Sequence, residues 1–310
     1  MKKYTAVVIG LGKIGMQYSF DKKRGLSSSH VSAIKNNKHF DLISVCDPDK
    51  KLQTVFQKKF GNKIKILNNH LQLLHYLKNN KIFCNLYVIA TPSETHAKII
   101  RDIISTQKSQ KQSSIIFCEK PLTETSDVGK RLKKLVKNSN FQVVVNHSRR
   151  WSKTWQRAFF FKKQIGKIQK AAFFFSTSPE NILLDQMRDG IHIGDLLHWF
   201  NIGSKTVVTR LNTSYFVYDF HMWGVLGKIE VLDYGTSFKL YKKQKSKKFL
   251  GFEELKLIKS EKISESILKN SYDEFIQFFN GKRKNLSTNI SDAIDALEVY
   301  KKYVYDPTIS

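Results

Sequence analysis

The chain has 310 residues, and 53 Lys+Arg set against 26 Asp+Glu give a formal net charge of +27. Hydrophobic residues at 41% and charged residues at 25% are globular proportions, which excludes a disordered or fibrous chain, and 15 Gly with 5 Pro exclude a collagen-like or low-complexity one. The length suits two domains, each with its own core, and no apolar run approaches the ~20 residues of a bilayer span.

The first strand-like segment is Tyr4–Ile9 (YTAVVI), a short β-branched run that ends in glycine. Leu42–Cys46 (LISVC), Leu86–Ala90 (LYVIA) and Ile115–Cys118 (IIFC) repeat that signature. Helical patterns separate them at Val31–Lys38, Asp49–Phe60 and Glu94–Ser105, and a further helix at Val128–Val136 precedes the strand Phe141–Val145. Strands alternating with helices predict a parallel, doubly wound sheet with right-handed crossovers.

Beyond this the pattern changes. Helices are expected at Trp155–Gln164 and Asp189–Trp199, with a strand at Ala171–Ser176 between them. From Lys205 to Leu257 the runs TVVTRL, TSYFVYDF, GKIEVLD, TSFKLY and LKLI follow one another with short turns, which predicts an open, mostly antiparallel sheet. Helices at Ser271–Phe279 and Asp292–Val304 close the chain. The expected architecture is α/β, with a Rossmann domain over residues 1–122 and a C-terminal α/β domain over 123–310.

The lysines are mostly dispersed as isolated pairs, and Lys outnumbers the Arg that specific nucleic-acid contacts favour, so no nucleic-acid partner is expected. The one dense cluster, Lys242–Lys248 (KKQKSKK), reads as a hairpin or loop tip. A positive field of this kind speeds the approach of anionic small molecules. Cys46, Cys84 and Cys118 are odd in number, widely spaced and set in apolar runs, which predicts buried thiols in a reducing compartment rather than disulfides or a zinc site. The segment after Met1-Lys2-Lys3 is too short and too glycine-broken for a secretory h-region, so no membrane partner and a cytoplasmic location are expected.

Gly10-Leu11-Gly12-Lys13-Ile14-Gly15 is a G-x-G-x-x-G turn directly after an apolar strand. Gly10 permits the tight turn, Gly12 admits a pyrophosphate to the backbone, and Gly15 lets helix pack on strand, while free N–H groups at a helix start face the anion. Lys13 and Ile14 contribute backbone to this cradle. Asp47 closes the second strand 32 positions after Gly15, against the usual ~20, and the polar insert Ser19–Ser29 accounts for the excess. A carboxylate there accepts the adenosine ribose hydroxyls and repels a 2′-phosphate, favouring NAD over NADP, although Lys50 and Lys51 stand close enough to weaken that preference.

Four further motifs follow in order: ATPSETHA (Ala90–Ala97), CEKP (Cys118–Pro121), VNHSRRW (Val145–Trp151) and DGIHIGD (Asp189–Asp195). Together with the Gly-rich turn and VLGKIEVLDYG (Val225–Gly235), they make the chain resemble the family of glucose-fructose oxidoreductase, inositol dehydrogenase and MocA (Gfo/Idh/MocA). The resemblance implies NAD-dependent hydride transfer at a sugar or polyol carbon, and an open second sheet that often forms the interface of a homodimer or homotetramer. It places Thr91, Pro92, His96, Glu119, Lys120 and Pro121 along the cofactor. It makes Lys120 the electrostatic partner of the reacting oxygen and His192 the acid/base, with Asp195, three residues on, orienting its ring or binding substrate.

Many members carry an aspartate four residues before that histidine. Here the position is Arg188 and the acid is Asp189, so Asp189 faces differently and Arg188 becomes a candidate for a substrate carboxylate or phosphate. Asn146, Arg149 and Arg150 are candidates for substrate hydroxyls or phosphate, and the VNHSRRW segment resembles members that act on surface-polysaccharide sugars, which points to a nucleotide-linked or acidic sugar. His30 reads equally as a cofactor neighbour or as a surface residue before the first helix, and no spacing suggests a metal. Three other functions stay open: reduction of a non-sugar carbonyl or imine, non-catalytic NAD sensing, and polyanion binding driven by charge.

Overall fold

The computed structural model describes residues 2–107, 112–176 and 182–305, with the side chains of 182–189 excluded. The chain divides into two compact units, Met1–His147 with Ser266–Ile294, and Ser148–Glu265 with Asp295–Ser310.

In the first unit the order is β1 (Tyr4–Ile9), α1 (His30–Lys35), β2 (Phe40–Cys46), α2 (Lys50–Phe60), β3 (Lys65–Leu67), α3 (His70–Asn79), β4 (Leu86–Ile89), α4 (Ser93–Thr106), β5 (Ser114–Cys118), α5 (Ser126–Lys137) and β6 (Phe141–Val145). The six strands form one sheet in the order β3-β2-β1-β4-β5-β6, and every pairing is parallel. The order reverses at β1 and β4, the switch point outside whose carboxyl ends doubly wound sheets take ligands. Val7, Ile9, Tyr87, Ile89 and Ile116 are fully buried in this sheet, and α4 lays Ile99, Ile100, Ile103 and Ile104 on it. Each such side chain contributes roughly 1.5–3 kcal/mol on burial.

In the second unit follow α6 (Lys153–Phe161), β7 (Ile168–Ser176), α7 (Ile182–Phe200), β8 (Thr206–Leu211), β9 (Tyr218–Gly224), β10 (Gly227–Leu232), β11 (Ser237–Lys245) and β12 (Glu253–Lys262). Their sheet runs β12-β11-β10-β9-β7-β8, antiparallel except for the β7–β8 pair. Alternate residues Tyr218, Phe220 and Met222 of β9 and Ile229 and Val231 of β10 face a core with Trp155, Phe173 and Phe200. The chain returns to the first unit with α8 (Ile267–Phe279), and α9 (Ile290–Tyr303) begins in the first unit and ends in the second.

The structure departs from the sequence expectations at several places. The expected boundary at residue 122 falls inside the first unit, because β6 pairs along its whole length with β5. β3 and α3 were not expected: β3 is three residues long and is held by its pairing with β2. In TSYFVYDF, only Tyr218 onward enters β9, while residues 212–217 form a loop that leaves Tyr215 and Phe216 exposed. α7 begins at Ile182 rather than Asp189. Half of the lysine cluster completes β11, and the hairpin tip spans residues 246–252. The three cysteines are free and buried, as expected, and burial raises the Cys84 thiol to about 12. No helix among the described residues is long and apolar enough to cross a membrane.

Candidate functional site

The Gly-rich turn sits at the end of β1, with the Gly10 N–H donating to the Cys46 carbonyl of β2 at 2.8 Å. Gly10 has φ +98°, and a Cβ there would lie 2.5 Å from the Ala90 carbonyl oxygen. A Cβ on Gly15 would run into the Gly10 carbonyl. Both positions are closed to other residues by the protein itself. Gly12 is not, since a Cβ there would meet nothing within 4 Å. Its backbone borders open space at the start of the first helical turn, where a pyrophosphate can reach the N–H groups.

That turn is not continued by the residues next in the chain. Met16 N–H donates to the Gly12 carbonyl, but it is His30 and Val31 that donate to the Ile14 and Gly15 carbonyls, each at 3.0 Å. His30 therefore occupies the place of the fourth residue after Ile14, and the loop leading to α1 adds 12 positions. Removing those 12 from the 32 that separate Gly15 and Asp47 leaves 20, the ordinary interval in dinucleotide-binding turns. The insert expected from composition is thus a loop spliced into a helix.

Asp47 is buried at the end of β2, where its Oδ2 accepts from the Leu11 N–H at 2.7 Å and its Oδ1 from the Asp49 N–H at 2.9 Å. It ties the turn to the neighbouring strand, and each oxygen keeps a second lone pair for a ribose hydroxyl. Lys50 directs its ammonium to Asn68 and Gln53.

Glu119 follows β5 and continues the sheet pairing through its N–H to the Ile89 carbonyl at 2.9 Å. Its Oε1 accepts from Asn146 Nδ2 at 2.6 Å and lies 2.9 Å from His30 Nε2, while its Oε2 takes the Lys120 N–H at 3.3 Å. His30 Nδ1 is 2.9 Å from the Tyr272 hydroxyl of α8. All of His30, Glu119, Asn146 and Tyr272 are buried. Burial opposes ionisation of Glu119, yet His30, Asn146 and the Lys120 charge together hold its carboxyl below the ordinary range. Tyr272 moves the other way, its hydroxyl pushed well up by burial and the Glu119 charge, so it stays protonated. With the carboxylate accepting, Nε2 of His30 is the donor, and in the neutral ring Nδ1 accepts from the Tyr272 hydroxyl.

His30 is therefore buried rather than a surface residue before the first helix, and it holds the residue next to Lys120. Asn146, expected at the substrate, gives one amide N–H to Glu119. His96 is buried with its Nε2 2.8 Å from the Thr91 carbonyl and its Nδ1 2.9 Å from the Pro121 carbonyl. It clamps the loop after β4 to the loop after β5. Thr91 also bonds Thr95 at 2.7 Å, and Pro92 is the N-cap of α4, whose amino end opens on the same sheet edge. Lys120 is joined to Pro121 by a cis peptide bond. Tyr272 is the member of this network that the sequence did not disclose, since it stands 242 residues from His30 with no motif around it.

In the second unit, Arg150 directs Nε to both oxygens of Asp195 at 3.1 Å and Nη2 to Oδ1 at 2.7 Å, with the pair buried and the guanidinium 5.3 Å from the Trp199 ring. Asp195 thus has Arg150 as its partner, where the sequence suggested the His192 ring. His192 is buried on α7 between Ile191 and Ile193. The glycines of its motif have a packing reason, because a Cβ on Gly190 or Gly194 would stand 2.5 Å from the Tyr300 ring or the Ala296 carbonyl. Arg188 and Asp189 lie on α7, but their side chains are outside the described residues. Among the described residues no group of three His, Cys, Asp or Glu could hold a metal ion.

A parallel sheet in the order 3-2-1-4-5-6, a Gly-rich turn at its switch point and a carboxylate at the end of the second strand define a dinucleotide-binding α/β protein. Residues 4–147, a little under half the chain, match the Gfo/Idh/MocA oxidoreductase family, described by its NAD-binding Rossmann fold. Over that segment the chain is similar to this family, and it carries the NAD-binding Rossmann fold that the family model describes. No curated protein matches the chain by sequence.

Solved structures share the fold over both units. An oxidoreductase from Sinorhizobium meliloti has a TM-score of 0.72 at 13% identity, over 98% of each chain. The WlbA dehydrogenase from Bordetella pertussis, in complex with NADH and UDP-GlcNAcA, has a TM-score of 0.69 at 15% identity, over 96% of this chain and 94% of that one. A super-repressor mutant of Gal80p from Saccharomyces cerevisiae has a TM-score of 0.74 at 12% identity, over 97% and 95%.

Proposed function

We propose that the protein is an NAD-dependent dehydrogenase or reductase that moves a hydride to or from a hydroxyl-bearing or keto carbon of a sugar, polyol or nucleotide-linked sugar. The observation that carries the cofactor half of this reading is Gly12. The fold makes room around it that no side chain fills, next to a turn locked by Asp47, and an anion held by backbone N–H groups accounts for a glycine at that point. NAD is favoured over NADP because the buried Asp47 carboxylate accepts hydroxyl donors and repels a 2′-phosphate, with Lys50 engaged by Asn68.

The bound dinucleotide supplies the hydride chemistry. The chain supplies the rest. The Lys120 ammonium stabilises negative charge growing on the reacting oxygen, and the His192 imidazole takes or returns the hydroxyl proton near neutral pH. Glu119 keeps Lys120 in register through the hydrogen bonds on either side of it. Within the second unit Arg150 and Asp195 form a buried pair, and Arg188 and Asp189 remain candidates for the substrate. The WlbA complex supports an anionic, nucleotide-linked sugar as substrate. The cysteines fit a reducing, cytoplasmic setting, and the open second sheet fits a homodimer or homotetramer.

The same fold occurs in a super-repressor mutant of Gal80p, so the test has to read turnover and not binding alone. Purified protein is incubated with NAD and a panel of sugars, polyols and nucleotide-linked sugars, and nicotinamide absorbance is followed. Lys120→Ala and His192→Asn are each expected to cut turnover by about 100-fold or more while leaving NAD affinity within about twofold. Binding of NAD without turnover of any substrate would favour a sensor, and full activity in both variants would end the assignment of these residues.

A further inference from the structure

The second unit exposes a row of aromatic rings that nothing in the proposed chemistry uses. Phe216 and Tyr234 have ring centroids 5.1 Å apart at 31°, and Phe216 lies parallel to Tyr218 at 6.4 Å with 4° between the planes. On Tyr218, which is buried, the Arg149 guanidinium sits 4.9 Å from the ring centre. Phe216 is 48% exposed and Tyr234 61%, so both rings reach solvent, with the cation held on Tyr218 at the buried end of the row.

The backbone is built to present them. Asp233, Tyr234 and Gly235 follow one another at φ +53°, +60° and +82°, and a tyrosine seldom takes that conformation without a reason. The turn is pinned by two N–H groups, of Gly235 and Thr236, on the Leu232 carbonyl at 3.1 Å. A Cβ on Gly235 would lie 2.9 Å from Trp155 Nε1, so the turn rests directly on the core. On the other side, Ser176 Oγ accepts from the Val217 N–H at 2.7 Å and donates to the Tyr215 carbonyl at 2.9 Å, which fixes the loop that carries Phe216. In the chain, Arg149 follows Asn146 by three residues.

Rigid, half-exposed rings with a guanidinium at one end match a planar heteroaromatic group carrying phosphate, because the ring stacks and the arginine takes the anion. We infer that Phe216 and Tyr234, with Arg149 beside them, form a stacking shelf for the base of a nucleoside diphosphate, the carrier half of a nucleotide-linked sugar. This rests on the proposed reading of the substrate and adds the element that recognises its carrier.

The test uses the full-length protein saturated with NAD, so that the Gly-rich turn is filled, and titrates UDP, dTDP, GDP and glucose 1-phosphate separately by calorimetry. The shelf predicts that at least one nucleoside diphosphate binds about tenfold tighter than glucose 1-phosphate, and that Phe216→Ala and Tyr234→Ala each weaken it by about tenfold while Tyr234→Phe stays within about twofold. Circular dichroism checks the fold of each variant, and Phe216→Ala, on an exposed loop, decides the matter if Tyr234→Ala unfolds. Equal binding of glucose 1-phosphate and every nucleoside diphosphate, or unchanged affinity in the alanine variants, overturns the shelf. Failure to saturate with NAD would instead count against the proposed function, and turnover of an unphosphorylated sugar without nucleoside diphosphate binding would remove the shelf alone.

Discussion

His30→Leu isolates the energetics of the buried network in the first unit. Leucine keeps much of the ring's volume and removes both polar nitrogens. Glu119 then loses the donor 2.9 Å from its Oε1, and the Tyr272 hydroxyl loses the acceptor 2.9 Å away. A hydrogen bond to a charged group is worth about 1.5–3 kcal/mol, and a buried ion left without its partner costs about 3–5 kcal/mol. For a chain of this size that is a fall in Tm on the order of 10 °C.

The pH dependence carries the sharper test. In the wild type the Glu119 carboxyl is held below its ordinary range despite burial, so its stabilising share is complete above the unfolded carboxyl pKa and is lost only as pH falls through the lower folded value. In the variant, burial acts with less opposition and the folded pKa rises. The deficit is then largest near neutral pH and shrinks toward the unfolded carboxyl value of about 4.3. Calorimetry of the full-length protein at pH 7.5 and pH 5 reads the difference. Tyr272→Phe, which removes one neutral hydroxyl, should cost about 1 kcal/mol with little dependence on pH. An equal deficit for His30→Leu at both pH values would refute the electrostatic account and leave only a packing defect.

The remaining predictions concern the turn and the second unit. Gly12→Ala meets open space and should leave Tm unchanged while NAD affinity, measured by calorimetry, falls by about tenfold or more; Gly10→Ala, at φ +98° against the Ala90 carbonyl, should lower both. Asp47→Ala should weaken NAD and narrow its advantage over NADP in paired titrations, and an unchanged preference would remove Asp47 from the ribose site. Arg150→Lys cannot reproduce the two-oxygen contact with Asp195 and should destabilise the protein by about 2–4 kcal/mol in urea titrations, close to the cost of Arg150→Met.

Local sequence was enough for the first sheet. Runs of four to six mostly apolar residues, each followed by a turn and an amphipathic stretch, disclosed β1, β2, β4, β5 and β6, and the glycines after β1 marked the ligand end. This works because a strand buried on both faces must be apolar throughout, and because a turn at φ +98° admits little besides glycine. β3 escaped notice because three residues carry no periodicity, and its strand state comes from β2 alone.

Side-chain partners were another matter. The sequence named Glu119, Asn146, His96, Arg150 and Asp195 as site residues, and the fold gave each a structural partner: His30 for Glu119, Glu119 for Asn146, two loop carbonyls for His96, and Arg150 and Asp195 for each other. Residue type and position along the chain decide which backbone groups and charges a segment must satisfy. Which atom satisfies them depends on contacts such as His30 to Tyr272, across 242 residues, that exist only once the helices lie on the sheet.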